Sequence, residues 1–265
     1  MPAIVWHRMA ASTPVYFLIG TPGSGRRGIV RDLIENGLGA DDRALVLLAA
    51  GEPPAPADAR LAARPGTEIR RWTWTPPELP WADVPAGATV FFLADAHANT
   101  LDQLEALKPW LERQGAELAR VFCVVDCQLA ERQPVLKPWY AACIHFADVV
   151  FLTKREGVAN KWLSDFIKQY KDEHFPCHFM QVKAKGDLAS PALLLDPTPR
   201  RVSQYFDEGE TIGAIEGLET DDEEDEEDDT GLLPEEAFFT RDRSGRRERE
   251  LPDVAKYLPP AAGTK

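Results

Sequence analysis

The sequence predicts an α/β fold built on a doubly wound, mostly parallel sheet. Two observations predict it. Six apolar runs of strand length recur between residues 15 and 182, and three of the segments between them carry apolar residues at helical spacing. The runs are apolar throughout rather than alternating, as strands covered on both faces must be. A third observation is a glycine-rich turn between the first run and the first helical segment.

In order, the runs are Val15 to Ile19, Ala44 to Ala49, Thr89 to Ala94, Arg120 to Asp126, Asp148 to Leu152 and His178 to Val182. Helices are expected over Arg26 to Asn36, Thr100 to Gln114 and Gly157 to Tyr170. In the last, Val158, Trp162, Phe166, Ile167 and Tyr170 share one face, and Lys161, Asp165 and Lys168 fall away from it. Glu68 to Thr75 breaks the rhythm: Ile69, Trp72 and Trp74 alternate with Arg70, Arg71 and Thr73 between proline-rich flanks. That pattern suits a short edge strand of antiparallel kind. Pro191, Pro197 and Pro199 mark the end of the body. The expected organisation is an N-terminal extension over 1–14, a body over 15–202 and an acidic, mostly disordered tail over 203–265.

Charge supports that division. Of 265 residues, 30 are Lys or Arg and 43 are Asp or Glu, giving a formal net charge of −13. Residues 1–206 hold 23 acids and 23 bases, residues 207–229 hold 14 acids and no base, and residues 230–265 hold 6 acids and 7 bases. A neutral body has no electrostatic footprint for nucleic acid or an anionic membrane, so neither is an expected partner. Asp221 to Asp229 are consecutive acids, a run that repels itself and buries nothing; it suits a solvating spacer, a tail for a basic partner, or a brake lying on arginines. Phe238 and Phe239, after Leu232 and Leu233, could dock on a protein partner.

No apolar run is long enough to span a bilayer, and Met1 to Pro14 lacks the secretory pattern, so a cytoplasmic location is expected. Cys123, Cys127, Cys143 and Cys177 lie in or beside apolar runs and read as buried free thiols.

Chemistry concentrates in Val15 to Gly28, VYFLIGTPGSGRRG. A buried strand enters Gly20, and Thr21, Pro22, Gly23 and Ser24 lead to Gly25 at the start of a helix. This is the Gly-x-x-x-x-Gly frame of a phosphate-binding P-loop in its strand, loop and helix context. Small residues let backbone N–H groups turn inward on phosphate oxygens, and the helix N-terminus adds a favourable dipole. The fold expected is thus of the P-loop NTPase type; a glycine-rich turn that keeps only the shape is the alternative. The standard loop continues with Lys, which reaches the phosphates, and Ser or Thr, which binds magnesium. Here Arg26 and Arg27 follow. Arg26 keeps the charge, whereas Arg27 has no acceptor for a metal ion.

The order of motifs over roughly residues 14–196 resembles the CobW-like family of P-loop GTPases, relatives of hydrogenase and urease metallochaperones. FFLADAHA, Phe91 to Ala98, occupies the place of that family's acidic strand end. The resemblance makes Asp95 the residue beside a metal, with Ala98 where the family has glycine. RVFCVVDC, Arg120 to Cys127, is similar to the strand that follows. ADVVFLTKRE, Ala147 to Glu156, is similar to the strand leading into the guanine-recognition motif, with Thr153 and Lys154 matching and Glu156 in place of Asp. A carboxylate there accepts from guanine N1 and N2, and the lysine stem packs over the base. A strand end followed by a capped helix is the plainer account. No cysteine occurs between Ala49 and Thr89, so the family's zinc-binding motif is absent, and the acidic segment stands where its C-terminal domain is expected.

Other constellations are weaker. Cys123 and Cys127 would lie roughly 13 Å apart on a strand, too far to share a metal ion. His174, Cys177 and His178 are near in sequence but straddle a loop. Asp126 and Asp148 read as structural acids at strand ends, and Ser24 lacks the partners of a nucleophile.

The expectation is a nucleotide-binding protein, with GTP the nucleotide that the resemblance implies. Gly20, Gly23, Ser24, Gly25 and Arg26 would sit on phosphate, Thr153, Lys154 and Glu156 on the base, and Asp95 by any metal. Hydrolysis is expected to be weak or absent, because the magnesium hydroxyl ligand is missing, and no catalytic residue is assigned. The alternative is an inactive scaffold acting through its tail on a protein partner.

Overall fold

A computed structural model of the chain describes residues 12–183, 187–207 and 236–258. The chain divides into two compact units, Met1–Val202 with Leu251–Lys265, and Ser203–Glu250.

The first unit is the α/β fold. Its strands are β1 (Thr13–Gly20), β2 (Arg43–Ala49), β3 (Thr67–Trp72), β4 (Ala88–Leu93), β5 (Ala116–Asp126), β6 (Val149–Thr153) and β7 (His178–Gln181). They form one sheet in the order β3-β2-β4-β1-β5-β6-β7, and every pairing is parallel. β1 therefore lies in the middle, paired with β4 at Val15↔Val90 and with β5 at Gly20↔Val124. The helices are α1 (Arg26–Gly37), α2 (Pro56–Ala63), α3 (Thr100–Gln114), α4 (Cys127–Arg132), α5 (Lys137–His145), α6 (Asn160–Asp172) and α7 (Pro191–Leu194).

Alternate strand residues bury on opposite faces. Tyr16 and Leu18 of β1, Phe91 and Leu93 of β4, and Phe122 and Val124 of β5 pack with Ile29, Val30, Leu33 and Ile34 of α1, Leu61 of α2 and Leu194 of α7. On the other face Phe92 meets Phe17, Trp72 and Trp110 of α3 edge-on, with centroids 5.5, 5.0 and 5.0 Å apart. Tyr170 of α6 stacks on Phe179 of β7. Helices on both faces make the sheet doubly wound, as expected. Each fully buried Phe or Leu contributes about 1.5–3 kcal/mol relative to exposure.

The edge strand β3 corrects one expectation, because it runs parallel to β2. The reason lies in its proline-rich flank: Pro56 sits in the first turn of α2, where its missing N–H costs nothing. A helix rather than a hairpin joins β2 to β3, and a helical crossover returns the chain to the same end of the sheet.

The proline-marked segment is held under the sheet. Tyr16 Oη donates to the Leu195 carbonyl, and Arg120 Nε donates to that of Asp196. Asp148, fully buried, accepts from Val121 N at 2.7 Å, Arg200 N at 2.5 Å and Arg201 Nη1 at 3.3 Å.

The second unit contains Tyr205 and Phe239 edge to face, 4.7 Å between centroids, with the Arg247 guanidinium 5.2 Å over Phe239 and that of Arg249 4.9 Å over Phe238. The acidic run Asp221 to Asp229 and Leu232 and Leu233 lie outside the described residues. Within the expected tail, Val254–Tyr257 form a 3-10 turn capped by Asp253.

Candidate functional site

The site is built at the carboxyl end of β1, where ligands of open parallel sheets bind. Gly20 ends the strand at φ +150°, and a Cβ there would stand 2.7 Å from the Val124 carbonyl oxygen. Only glycine lets the loop cross β5 so closely. Ser24 N donates to Thr21 O at 3.1 Å, which closes the turn, and Gly25 enters α1 at φ 100°. No side chain caps α1. The N–H groups of its first turn thus have neither an intrahelical partner nor a capping one. Ser24 is 1% exposed, and its Oγ, which lies against Gly20 inside the turn, has no hydrogen-bond partner. An uncapped helix start, an orphaned buried hydroxyl and a glycine turn fit an anion such as phosphate.

The second half of the site comes from the ends of β5 and β6. Thr153 Oγ1 lies 2.7 Å from Ser24 O and 2.9 Å from Val125 O, joining the end of β6 to the loop and to β5. Lys154 follows with φ 48°, a left-handed backbone that costs a non-glycine residue about 1–3 kcal/mol and clusters at ligand sites. Its Nζ pairs with Asp126 Oδ2 at 2.8 Å and lies 3.9 Å from where a Cβ on Gly23 would be. Asp126 also caps α4, accepting from Leu129 N at 3.0 Å. Glu156 is exposed, and its carbonyl accepts from Gln128 Nε2 at 2.7 Å.

These two halves meet. Ser24, Gly25, Thr153, Lys154 and Glu156 line one cleft of about 270 Å³, with Gly28, Ile29 and Arg31 of α1 and Val182 and Lys183 beyond β7. Gly23 borders it through Lys154, and Gly20 forms the base of the loop.

Arg26 and Asp95 lie elsewhere. The Arg26 side chain is buried; its Nη1 donates to Ala94 O at 2.6 Å, and its Nη2 pairs with Glu52. Burial pulls the Arg26 pKa down, and the Glu52 carboxylate pulls it back up. Arg27 Nη2 reaches the other Glu52 oxygen at 3.0 Å, while its Nη1 donates to Pro53 O at 2.6 Å and Asp58 Oδ2 at 3.0 Å. Arg71 Nη2 joins Asp58 at 3.1 Å. Asp95 follows β4, its Oδ1 accepting from His97 N at 3.0 Å. Gln103 holds its backbone on both sides, accepting from Asp95 N at 2.7 Å and donating to Asp95 O at 2.9 Å.

Glu52 and Gln103 were not singled out from sequence; Asp126 reads there as a structural acid at a strand end, and it caps α4 as such while also pairing with Lys154. Glu52 carried one usable signal, an acid just after a buried strand in a chain whose loop offers two arginines. The contacts of Gln103 come from tertiary packing and leave no local mark.

The donor set does not fit magnesium in its usual P-loop place. Arg27 stands at the hydroxyl position, has no acceptor and is engaged with acids. Among the described residues, no three His, Cys, Asp or Glu side chains gather to hold a metal ion, the set His174, Cys177 and His178 included. No described helix is long and apolar enough to cross a membrane.

No family model matches the chain, and no curated protein matches it. Among solved structures it is similar to the Zn(II)-bound YjiA GTPase from E. coli, at 14% identity and a TM-score of 0.38, over 68% of this chain and 62% of that one. It is also similar to the cell division protein FtsY from Thermotoga maritima, at 16% identity and a TM-score of 0.42, over 70% of this chain and 68% of that one. The chain thus spans less than two thirds of the YjiA structure.

Proposed function

We propose that this chain binds a guanine nucleotide in the cleft between the α1 loop and Thr153–Glu156, and does not hydrolyse it by the magnesium-dependent route. One observation carries the reading: a phosphate-type loop and a base-recognition stretch, far apart in sequence, line the same cleft. The N–H groups around Gly25 face the phosphates, and Ser24 packs the turn behind them. The Glu156 carboxylate accepts from guanine N1 and N2, and the Lys154 stem lies along the base. Arg26 is tied to Glu52 and to Ala94 O at the neighbouring strand ends, so its guanidinium is already engaged. The CobW-like order of motifs supports the same assignment, and a cytoplasmic place of action agrees with four buried cysteines that form no disulfide.

The test is a titration of fluorescent GDP, GTP and ADP analogues into the purified protein, with magnesium and then with EDTA. Saturable binding that prefers guanine and ignores EDTA is expected. Absence of binding at high micromolar ligand contradicts the reading.

A second reading is favoured by the pairing of both loop arginines with Glu52, which leaves neither guanidinium facing the cleft. On that reading the fold is a scaffold working through residues 203–265 on a protein partner. It expects no nucleotide binding at all, so the same titration separates the two.

A further inference from the structure

Glu52 stands at the carboxyl end of β2 in a turn closed by its N–H to Ala49 O at 3.2 Å. Its carboxylate is 9% exposed, and each oxygen serves one of the loop's arginines. The carboxylate thus bridges two guanidiniums with one charged oxygen each, as two oxygens of a phosphate would. Each guanidinium has further acceptors: Arg26 is fastened to Ala94 O at the end of β4, and Arg27 to Pro53 O and Asp58. In the sheet order β2-β4-β1, the strand ends next to the loop therefore present Glu52 and Asp95, two carboxylates, with the nearby arginine charge already spent. Phosphates cradled by the first turn of α1 need only its backbone N–H groups. A further phosphate, extending towards β4, meets these two acids, and the guanidiniums beside them are already engaged by Glu52.

We propose that Glu52 is an internal anion that takes the place of a terminal phosphate on Arg26 and Arg27, so that the site accepts a nucleoside diphosphate and discriminates against the triphosphate. The proposal rests on the guanine-nucleotide reading above and names the phosphate class that site takes. A buried carboxylate with two partners is not displaced without leaving three buried charges to be rearranged, which makes the discrimination a property of the folded chain.

The experiment is calorimetric titration of GDP, GTP and inorganic tripolyphosphate into wild type and Glu52→Gln. Wild type is expected to bind GDP at least tenfold more tightly than GTP. Glu52→Gln is expected to raise affinity for GTP and tripolyphosphate at least tenfold and to change that for GDP less than threefold. Equal affinities for GDP and GTP in wild type, or an unchanged variant, overturn the proposal and leave the guanine reading standing. A variant that gains tripolyphosphate while wild type binds no guanine nucleotide upholds the internal anion and removes the guanine reading. Silence from every probe on both proteins removes both. Should Glu52→Gln fail to fold, the wild-type ratio of GDP to GTP decides, and Glu52→Asp, which withdraws the charge by one methylene, supplies the tripolyphosphate arm with an expected gain of at least threefold.

Discussion

The hydroxyl of Thr153 lies 2.7 Å from the carbonyl oxygen of Ser24, joining two residues 129 positions apart. Through this contact the end of β6 fixes the height of the loop over the sheet, and Thr153 Cγ2 sits 3.8 Å from where a Gly25 Cβ would be. Thr153→Val keeps the shape and removes the hydroxyl, whose single proton serves Ser24 O or Val125 O, leaving a buried carbonyl short of a partner. A stability loss of about 1–3 kcal/mol in urea unfolding is expected, together with weaker nucleotide binding. Thr153→Ser restores most of both. An unchanged valine variant contradicts the bridging role.

The Glu156 carboxylate is the group assigned to guanine. Glu156→Ala removes an acceptor exposed to solvent, so the fold stays intact, and the preference for GDP over ADP falls about tenfold or more, as for loss of a charged hydrogen bond. Competition binding of the two nucleotides reads this directly. A preference that survives the substitution assigns guanine recognition to another residue.

Phe92 lies where three aromatic rings converge on the face opposite α1. Phe92→Ala opens a cavity between β4 and α3, with an expected loss of about 3–5 kcal/mol in denaturant unfolding. A loss below 1 kcal/mol would mean that the neighbouring rings collapse into the space.

Burial pushes the Cys127 and Cys177 thiols up to about 12, and burial likewise pushes the Tyr16 hydroxyl up to about 12. An unfolded thiol titrates near 8.5. Folding therefore keeps these groups protonated above the pH at which the unfolded chain ionises. Their stability contribution is complete below the unfolded values and is lost as pH rises towards 12. Thermal unfolding at pH 7 to 10.5 should show stability declining on the alkaline side, and native protein at pH 8 should resist thiol alkylation until denatured. Rapid alkylation of the native chain contradicts the burial of these thiols.

The parallel core was legible because strands covered on both faces write continuous apolar runs, and Val15 to Ile19 and Arg120 to Asp126 do so plainly. Helix α3 was legible to its ends, since Asn99 caps its start and Gly115, at φ 59°, closes it. The direction of β3 was not: Glu68 to Thr75 alternates because an edge strand is half exposed, whichever way it runs. Of the residues singled out as local motifs, since glycine spacing and a strand end are short-range signals, Ser24, Gly25, Thr153, Lys154 and Glu156 line one cleft. The partners of Arg26 and Arg27 were not legible, because Glu52 approaches them through the crossover of β2, and long-range charge pairing leaves no pattern in sequence.

If one ligand spans the loop and the Thr153–Glu156 stretch together, saturating GDP slows amide hydrogen exchange at Gly25–Gly28 and at Thr153–Glu156 in parallel, with the same concentration dependence. Protection at neither segment, or at one alone, would rule out a shared ligand.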